Sequence, residues 1–249
     1  MSTDDLAIAR RGAGAPVVLV HGFTQTGRSW DPIAARLAEH HEVIVVDAPG
    51  HGGSAHVRAD LTSGAGLLGR AGGRATYIGY SMGGRLCLHL AVNRPHLVER
   101  LVLVSATAGL DDAGARASRR ASDEQLAAAI ERDGVDAFLD RWIAQPLFAT
   151  VADPGLGDRR RNTIAGLASS LRLAGTGTQE PLWGALAAVT MPVLLVAGAV
   201  DAKFVAATER MAGLLPRATV AIIEGAGHTV HLEQPDAFLA VVEPWLAAT

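Results

Sequence analysis

The chain has 249 residues, 49% of them apolar, a formal charge of −3 and a single cysteine, Cys87. That length buries one full core and calls for no second domain; the negative charge argues against nucleic-acid binding, and one cysteine excludes an internal disulfide. No apolar run approaches the roughly 20 residues that span a bilayer, and the acidic start Met1-Ser2-Thr3-Asp4-Asp5 lacks a signal-like apolar stretch, so no membrane insertion and a cytoplasmic location are expected.

Short β-branched runs alternate with longer helical patterns. Residues 17–20 (Val-Val-Leu-Val) read as a strand running into His21-Gly22-Phe23-Thr24, with a helix near residues 30–38. Residues 43–46 form the next strand, and the turn Asp47-Ala48-Pro49-Gly50-His51-Gly52-Gly53-Ser54 gives Asp47 and His51 structural roles. Gly64-Ala65-Gly66-Leu67-Leu68-Gly69 matches a dinucleotide pattern, yet no strand precedes it and no βαβ unit surrounds it, so it carries no such reading. A strand at 76–79 leads into a helix at 81–93, on which Cys87 reads as a packed apolar residue. Strands at 101–105, 193–197 and 219–223 and helices near 205–215 and 236–246 complete the pattern, with Pro244 expected to kink or end the last helix. Continuous apolar strands are what a buried parallel sheet requires, so the fold class is α/β with helices on both faces.

The alternation stops between about residues 108 and 186. Ser122-x-x-Gln125 reads there as a capping box opening a helix, and Val135, Phe138, Leu139 and Trp142, spaced i, i+3, i+4, i+7, as the apolar face of a second one. The expected organisation is a core of residues 1–107 and 187–249 with an inserted helical lid at 108–186, where substrate selection would reside.

The chemistry concentrates in a few short segments. Gly79-Tyr80-Ser81-Met82-Gly83 puts a serine on a sharp strand-to-helix turn that needs small flanking residues and leaves the hydroxyl exposed above the sheet. A serine hydroxyl is a poor nucleophile or base at neutral pH. It needs an imidazole to take its proton and a carboxylate to hold that imidazole, and His228 and Asp201 each lie just beyond a strand run. The order Ser81, Asp201, His228 is that of α/β-hydrolases. In that fold the oxyanion hole is formed by backbone N–H groups, here assigned to Phe23 and Met82. His228 and His231 have no third ligand nearby, so no metal is called for.

Arginines cluster in the expected lid, at Arg116, Arg119, Arg120, Arg159, Arg160, Arg161 and Arg172, while Lys203 is the one lysine of the chain. Arg85 sits one turn after Ser81. Guanidinium groups bind carboxylates in bidentate fashion, so Arg85 with lid arginines suits a multiply anionic small molecule.

Several segments together are more specific than the fold: Gly79-Tyr80-Ser81-Met82-Gly83-Gly84-Arg85-Leu86; Leu103-Val104-Ser105-Ala106-Thr107-Ala108-Gly109-Leu110; Trp142 with Pro146-Leu147-Phe148; Leu167-Ala168-Ser169-Ser170-Leu171 with Gly175-Thr176-Gly177-Thr178-Gln179; and Gly227-His228-Thr229-Val230-His231-Leu232-Glu233-Gln234-Pro235. They closely resemble the 2-succinyl-6-hydroxy-2,4-cyclohexadiene-1-carboxylate synthase family of menaquinone biosynthesis, from about Val17 to the C-terminus and including the lid. Ala108 stands where that family usually has proline. The resemblance implies a lyase on a hydrolase scaffold, with no cofactor, in which the triad acts as a base to expel pyruvate from a tricarboxylate. It implies substrate contacts at Tyr80, Arg85, Arg119 and Arg161. The alternatives are a serine carboxylester or carbon–carbon bond hydrolase, which would favour an apolar pocket, and a catalytically silent receptor, which would not need the whole triad.

Overall fold

The computed structural model describes residues 5–153 and 155–248, so the acidic start at residues 1–4 lies outside the described part. Among the described residues seven strands, β1 (Ile8–Arg11), β2 (Ala15–Val20), β3 (His41–Val46), β4 (Ala75–Tyr80), β5 (Val98–Val104), β6 (Val193–Gly198) and β7 (Ala218–Ile223), form one sheet in the order β1-β3-β2-β4-β5-β6-β7. Only β1 runs antiparallel, pairing with β3. All six expected strands are present. The short edge strand β1, Ile-Ala-Arg-Arg, was not expected, because four largely exposed residues show no apolar run.

Alternate residues of the central strands point to opposite faces, and each face has its own core. Val18 and Val20 join Leu68, Leu86 and Leu90 of α2 (Leu61–Gly72) and α3 (Met82–Asn93), whereas Val17 and Leu19 join Trp30 and Ile33. Ile33 belongs to α1 (Asp31–Leu37), and Phe238 of α9 (Pro235–Ala247) completes this second layer. Helix α2 contains the glycine-rich segment set aside above. Its glycines let it approach α3: a Cβ on Gly69 would lie 2.9 Å from side-chain atoms of Leu90 and Leu97. Pro244 neither ends nor breaks α9, which runs on to Ala247, and Arg100 donates to the carbonyls of Trp245, Leu246 and Ala248 that the helix end leaves open.

Between β5 and β6 the chain forms α4 (Ala113–Ile143), α5 (Leu156–Arg159) and α6 (Ile164–Ala174), followed by a 3-10 turn at Trp183–Ala188. The capping box expected at Ser122 does not form. Helix α4 starts earlier, with the Asp112 carboxylate accepting from the Ala115 N–H at 2.7 Å, and Ser122 donates its hydroxyl to the Ser118 carbonyl instead. The alanine- and arginine-rich stretch from Ala113 propagates helix well enough to carry it past Ser122. Gly134, at φ +81°, breaks α4 into two arms, and the second carries the expected Phe138 and Leu139 face. These side chains pack with Ala127, Ile130, Leu167 and Leu171 into a small third core that also touches Phe23. Helix α7 (Ala202–Ala212) follows β6, and the single turn α8 (Val230–Glu233) precedes α9.

Candidate active site

Strand β4 ends at Tyr80, and α3 begins at Met82. Ser81 between them is held at φ +50°, a left-handed conformation that costs a non-glycine residue of order 1–3 kcal/mol. The turn is tight enough that a Cβ on Gly83 would run into the carbonyl oxygens of Val20 and His21. The Ser81 hydroxyl lies 3.2 Å from His228 Nε2, and His228 Nδ1 lies 2.8 Å from Asp201 Oδ2. Asp201 is also the N-cap of α7, its other oxygen accepting from the Phe204 N–H at 3.3 Å. One carboxylate thus fixes both the helix start and the imidazole. The ring of Phe204 lies 4.5 Å from that of His228 and covers it.

The loop after β2 is fixed by two buried histidines. His51 Nε2 accepts from the Thr24 N–H at 3.3 Å while its Nδ1 lies 2.9 Å from the Pro49 carbonyl. His21 Nε2 accepts from the Ala48 N–H at 3.0 Å. Each ring must stay neutral to accept. Burial, the largest cause in both, pushes His51 down to about 3 and lowers His21, the latter against the pull of Asp47. Asp47 itself accepts from the N–H groups of Gly27 and Gly53, both at 2.7 Å, the structural role read from the sequence. The Gly22 N–H goes to Gln25 Oε1 at 3.1 Å and the Thr24 N–H to His51. Between them, the Phe23 N–H has no protein acceptor among the described residues, and neither does that of Met82, the first residue of α3. Both residues line the same cavity as Ser81 and His228.

That cavity, of about 200 Å³, is lined by the apolar side chains of Phe23, Trp142, Leu147, Phe148 and Phe204 and by the cationic ones of Arg85, Arg119 and Lys203. No carboxylate lines it among the described residues. Arg85 is 7% exposed, and the one hydrogen bond of its guanidinium among the described residues runs from Nη1 to the Ala174 carbonyl at 2.9 Å, which leaves most of its five donors without a protein acceptor. Burial and, next, the nearby charge of Arg119 pull its pKa down to about 10, so it remains cationic at neutral pH. Arg119 is braced by the buried Asp123, Nε to Oδ1 at 2.8 Å. Tyr80 lines the cavity with its hydroxyl 3.1 Å from Thr229 Oγ1, and burial raises its pKa.

Arg161 is exposed and outside the cavity lining. Its neighbour Arg159 is the buried one, donating to the Thr24 hydroxyl in the loop after β2 with its guanidinium 6.0 Å from the Phe148 ring centre. Asn162 reinforces the same loop, donating to the Thr24 carbonyl at 2.7 Å. Ser105, at φ +46°, and Lys203 line the cavity and were not singled out in sequence. No His, Cys, Asp or Glu cluster suited to a metal occurs among the described residues.

The alpha/beta hydrolase family pattern matches residues 17–241. A Bacillus subtilis protein, provisionally named a 2-succinyl-6-hydroxy-2,4-cyclohexadiene-1-carboxylate synthase, is 36% identical over 97% of this chain and 94% of its own. The Serratia proteamaculans enzyme of that name is 31% identical over 92% of each chain. Among solved structures, MenH from S. aureus superposes with a TM-score of 0.91 at 28% identity, covering 96% of this chain and 97% of that one. A thermophilic esterase from Thermogutta terrifontis, with malate bound, reaches 0.83 at 26% identity over 97% and 93%. The chain therefore belongs to the alpha/beta hydrolase family and, within it, to the 2-succinyl-6-hydroxy-2,4-cyclohexadiene-1-carboxylate synthases.

Proposed function

We propose that the chain eliminates pyruvate from 2-succinyl-5-enolpyruvyl-6-hydroxy-3-cyclohexene-1-carboxylate, giving 2-succinyl-6-hydroxy-2,4-cyclohexadiene-1-carboxylate. The observation that carries this reading is a cavity beside Ser81 lined by three cationic side chains and, among the described residues, no carboxylate. A neutral ester would gain nothing from that lining, whereas a substrate with three carboxylates offsets it.

In this reading the triad acts as a base and not as a nucleophile. His228, oriented by Asp201, draws the proton from Ser81, and the serine oxygen removes the proton α to the succinyl ketone. The ketone oxygen gains negative charge as that proton leaves. The N–H groups of Phe23 and Met82 are the donors aimed at this oxygen, each worth roughly 3 kcal/mol in such sites. Collapse of the enolate through the single ring double bond shifts that bond, forms the second one of the diene and breaks the bond to the enolpyruvyl oxygen; the enolpyruvate released takes a proton at carbon to become pyruvate. Arg85 and Arg119 hold carboxylates so that the reacting bonds stay aligned. No bond between Ser81 and substrate forms, and no water attacks.

A cytoplasmic location belongs to the same reading, supported by the biosynthetic relatives, and cell fractionation tests it. The reaction itself is tested by giving purified protein the tricarboxylate and following pyruvate with a coupled dehydrogenase. Pyruvate and diene appearing together support the elimination, and their absence ends it.

A further inference from the structure

We propose that Lys203 binds the carboxylate of the enolpyruvyl group, the fragment that leaves, while Arg85 and Arg119 bind the two carboxylates that stay on the ring product. This inference rests on the elimination reading and adds a residue and a division of labour to it.

Lys203 is the one lysine of the chain, and it stands on the first turn of α7, two residues after Asp201. A cation there opposes the positive end of the helix dipole, a small but unfavourable placement. Among the described residues no carboxylate lies within 4 Å of its ammonium, which sits 5.4 Å from the centroid of the Phe204 ring. The nearest acid in sequence, Asp201, has both oxygens engaged, one by His228 and the other by the Phe204 N–H. Lys203 nevertheless lines the cavity, and it does so exposed to solvent.

The three cations differ in how they are held. Arg85 is buried and tied to the Ala174 carbonyl, and Arg119 is braced by Asp123. Fixed planar forks suit the part of the substrate whose geometry must be kept through the reaction. Lys203 is a point charge on a flexible stem at the solvent-exposed side. It suits a carboxylate that must be gripped in the substrate and then released with its fragment. The substrate has three carboxylates, the ring product two and pyruvate one, which matches two rigid cations and one mobile one.

The experiment compares wild type, Lys203→Met and Lys203→Arg in three measurements: kcat/KM for the tricarboxylate, inhibition by added ring product, and inhibition by added pyruvate. Lys203→Met is expected to lower kcat/KM by about five- to thirtyfold, the range for a charged contact reduced by solvent exposure. It should weaken pyruvate inhibition by a similar factor, leave product inhibition within about twofold, and leave the melting temperature unchanged. Lys203→Arg, which keeps the charge, should recover most of the loss. An unchanged kcat/KM in Lys203→Met, or product inhibition weakened as much as pyruvate inhibition, overturns the assignment while wild-type turnover still upholds the elimination. Wild type that releases no pyruvate overturns both.

Discussion

Replacing Arg85 by alanine separates a carboxylate-binding role from a structural one. A guanidinium–carboxylate hydrogen bond is worth about 1.5–3 kcal/mol, and Arg85 already gives one donor to the Ala174 carbonyl at 2.9 Å, so its remaining donors are those available to substrate. That range corresponds to a loss of about 10- to 150-fold in kcat/KM for the tricarboxylate. Arg119 moderates the loss, because the repulsion that helps pull Arg85 down to about 10 disappears with it. The control is hydrolysis of a small neutral ester by the same triad, which offers no carboxylate and should change by less than about threefold. Lysine at this position should recover only part of the activity, since an ammonium cannot supply the planar fork. Equal proportional losses with both substrates would show that Arg85 only supports the elbow helix.

Three further outcomes follow from the same geometry. Ser81→Ala should lower pyruvate release at least a thousandfold, about 4 kcal/mol of barrier, with an unchanged circular dichroism spectrum; near-normal release by the folded variant excludes the serine as base. Gly83→Ala forces a methyl group against the Val20 and His21 carbonyls, so it should cost about 1–3 kcal/mol of stability in a denaturant titration, and an unchanged midpoint would contradict the packing described. His51 and His231, held at about 3, and His89, at about 4, all chiefly by burial, bind fewer protons folded than unfolded below pH 6.5. Stability should therefore fall as pH drops from about 6.5 towards 4, each histidine adding up to about 1.4 kcal/mol per pH unit. His89→Gln should flatten that slope, and a stability independent of pH between 7 and 5 refutes the assignment.

The residues of the triad were legible because each sits at a strand end with a local signature. Glycine is required around Ser81 by close backbone contact, and chain order alone orders the three groups. The core strands were legible as unbroken apolar runs, since they are buried on both faces. What escaped was decided by tertiary contact. Glycine-rich α2 looks like a loop, yet its small residues are what let it lie against Leu86 and Leu90. The run Arg159-Arg160-Arg161 offers three equivalent guanidiniums in sequence, and only the turn at Leu156–Arg159 decides that Arg159 goes inward towards Thr24 while Arg161 faces solvent. The Asp201-x-Lys203 spacing was the available signal for Lys203: a residue on the first turn beyond the triad acid returns to the site.

The central claim is that the triad works as a base and never as a nucleophile towards substrate. It is tested most directly by quenching the enzyme during turnover of the tricarboxylate and weighing the intact protein while pyruvate is measured in the same sample. The account predicts stoichiometric pyruvate and ring product with the protein at its unmodified mass throughout. A substrate-derived mass on Ser81 that forms and decays at the rate of turnover would contradict it and identify a covalent hydrolase-type mechanism instead.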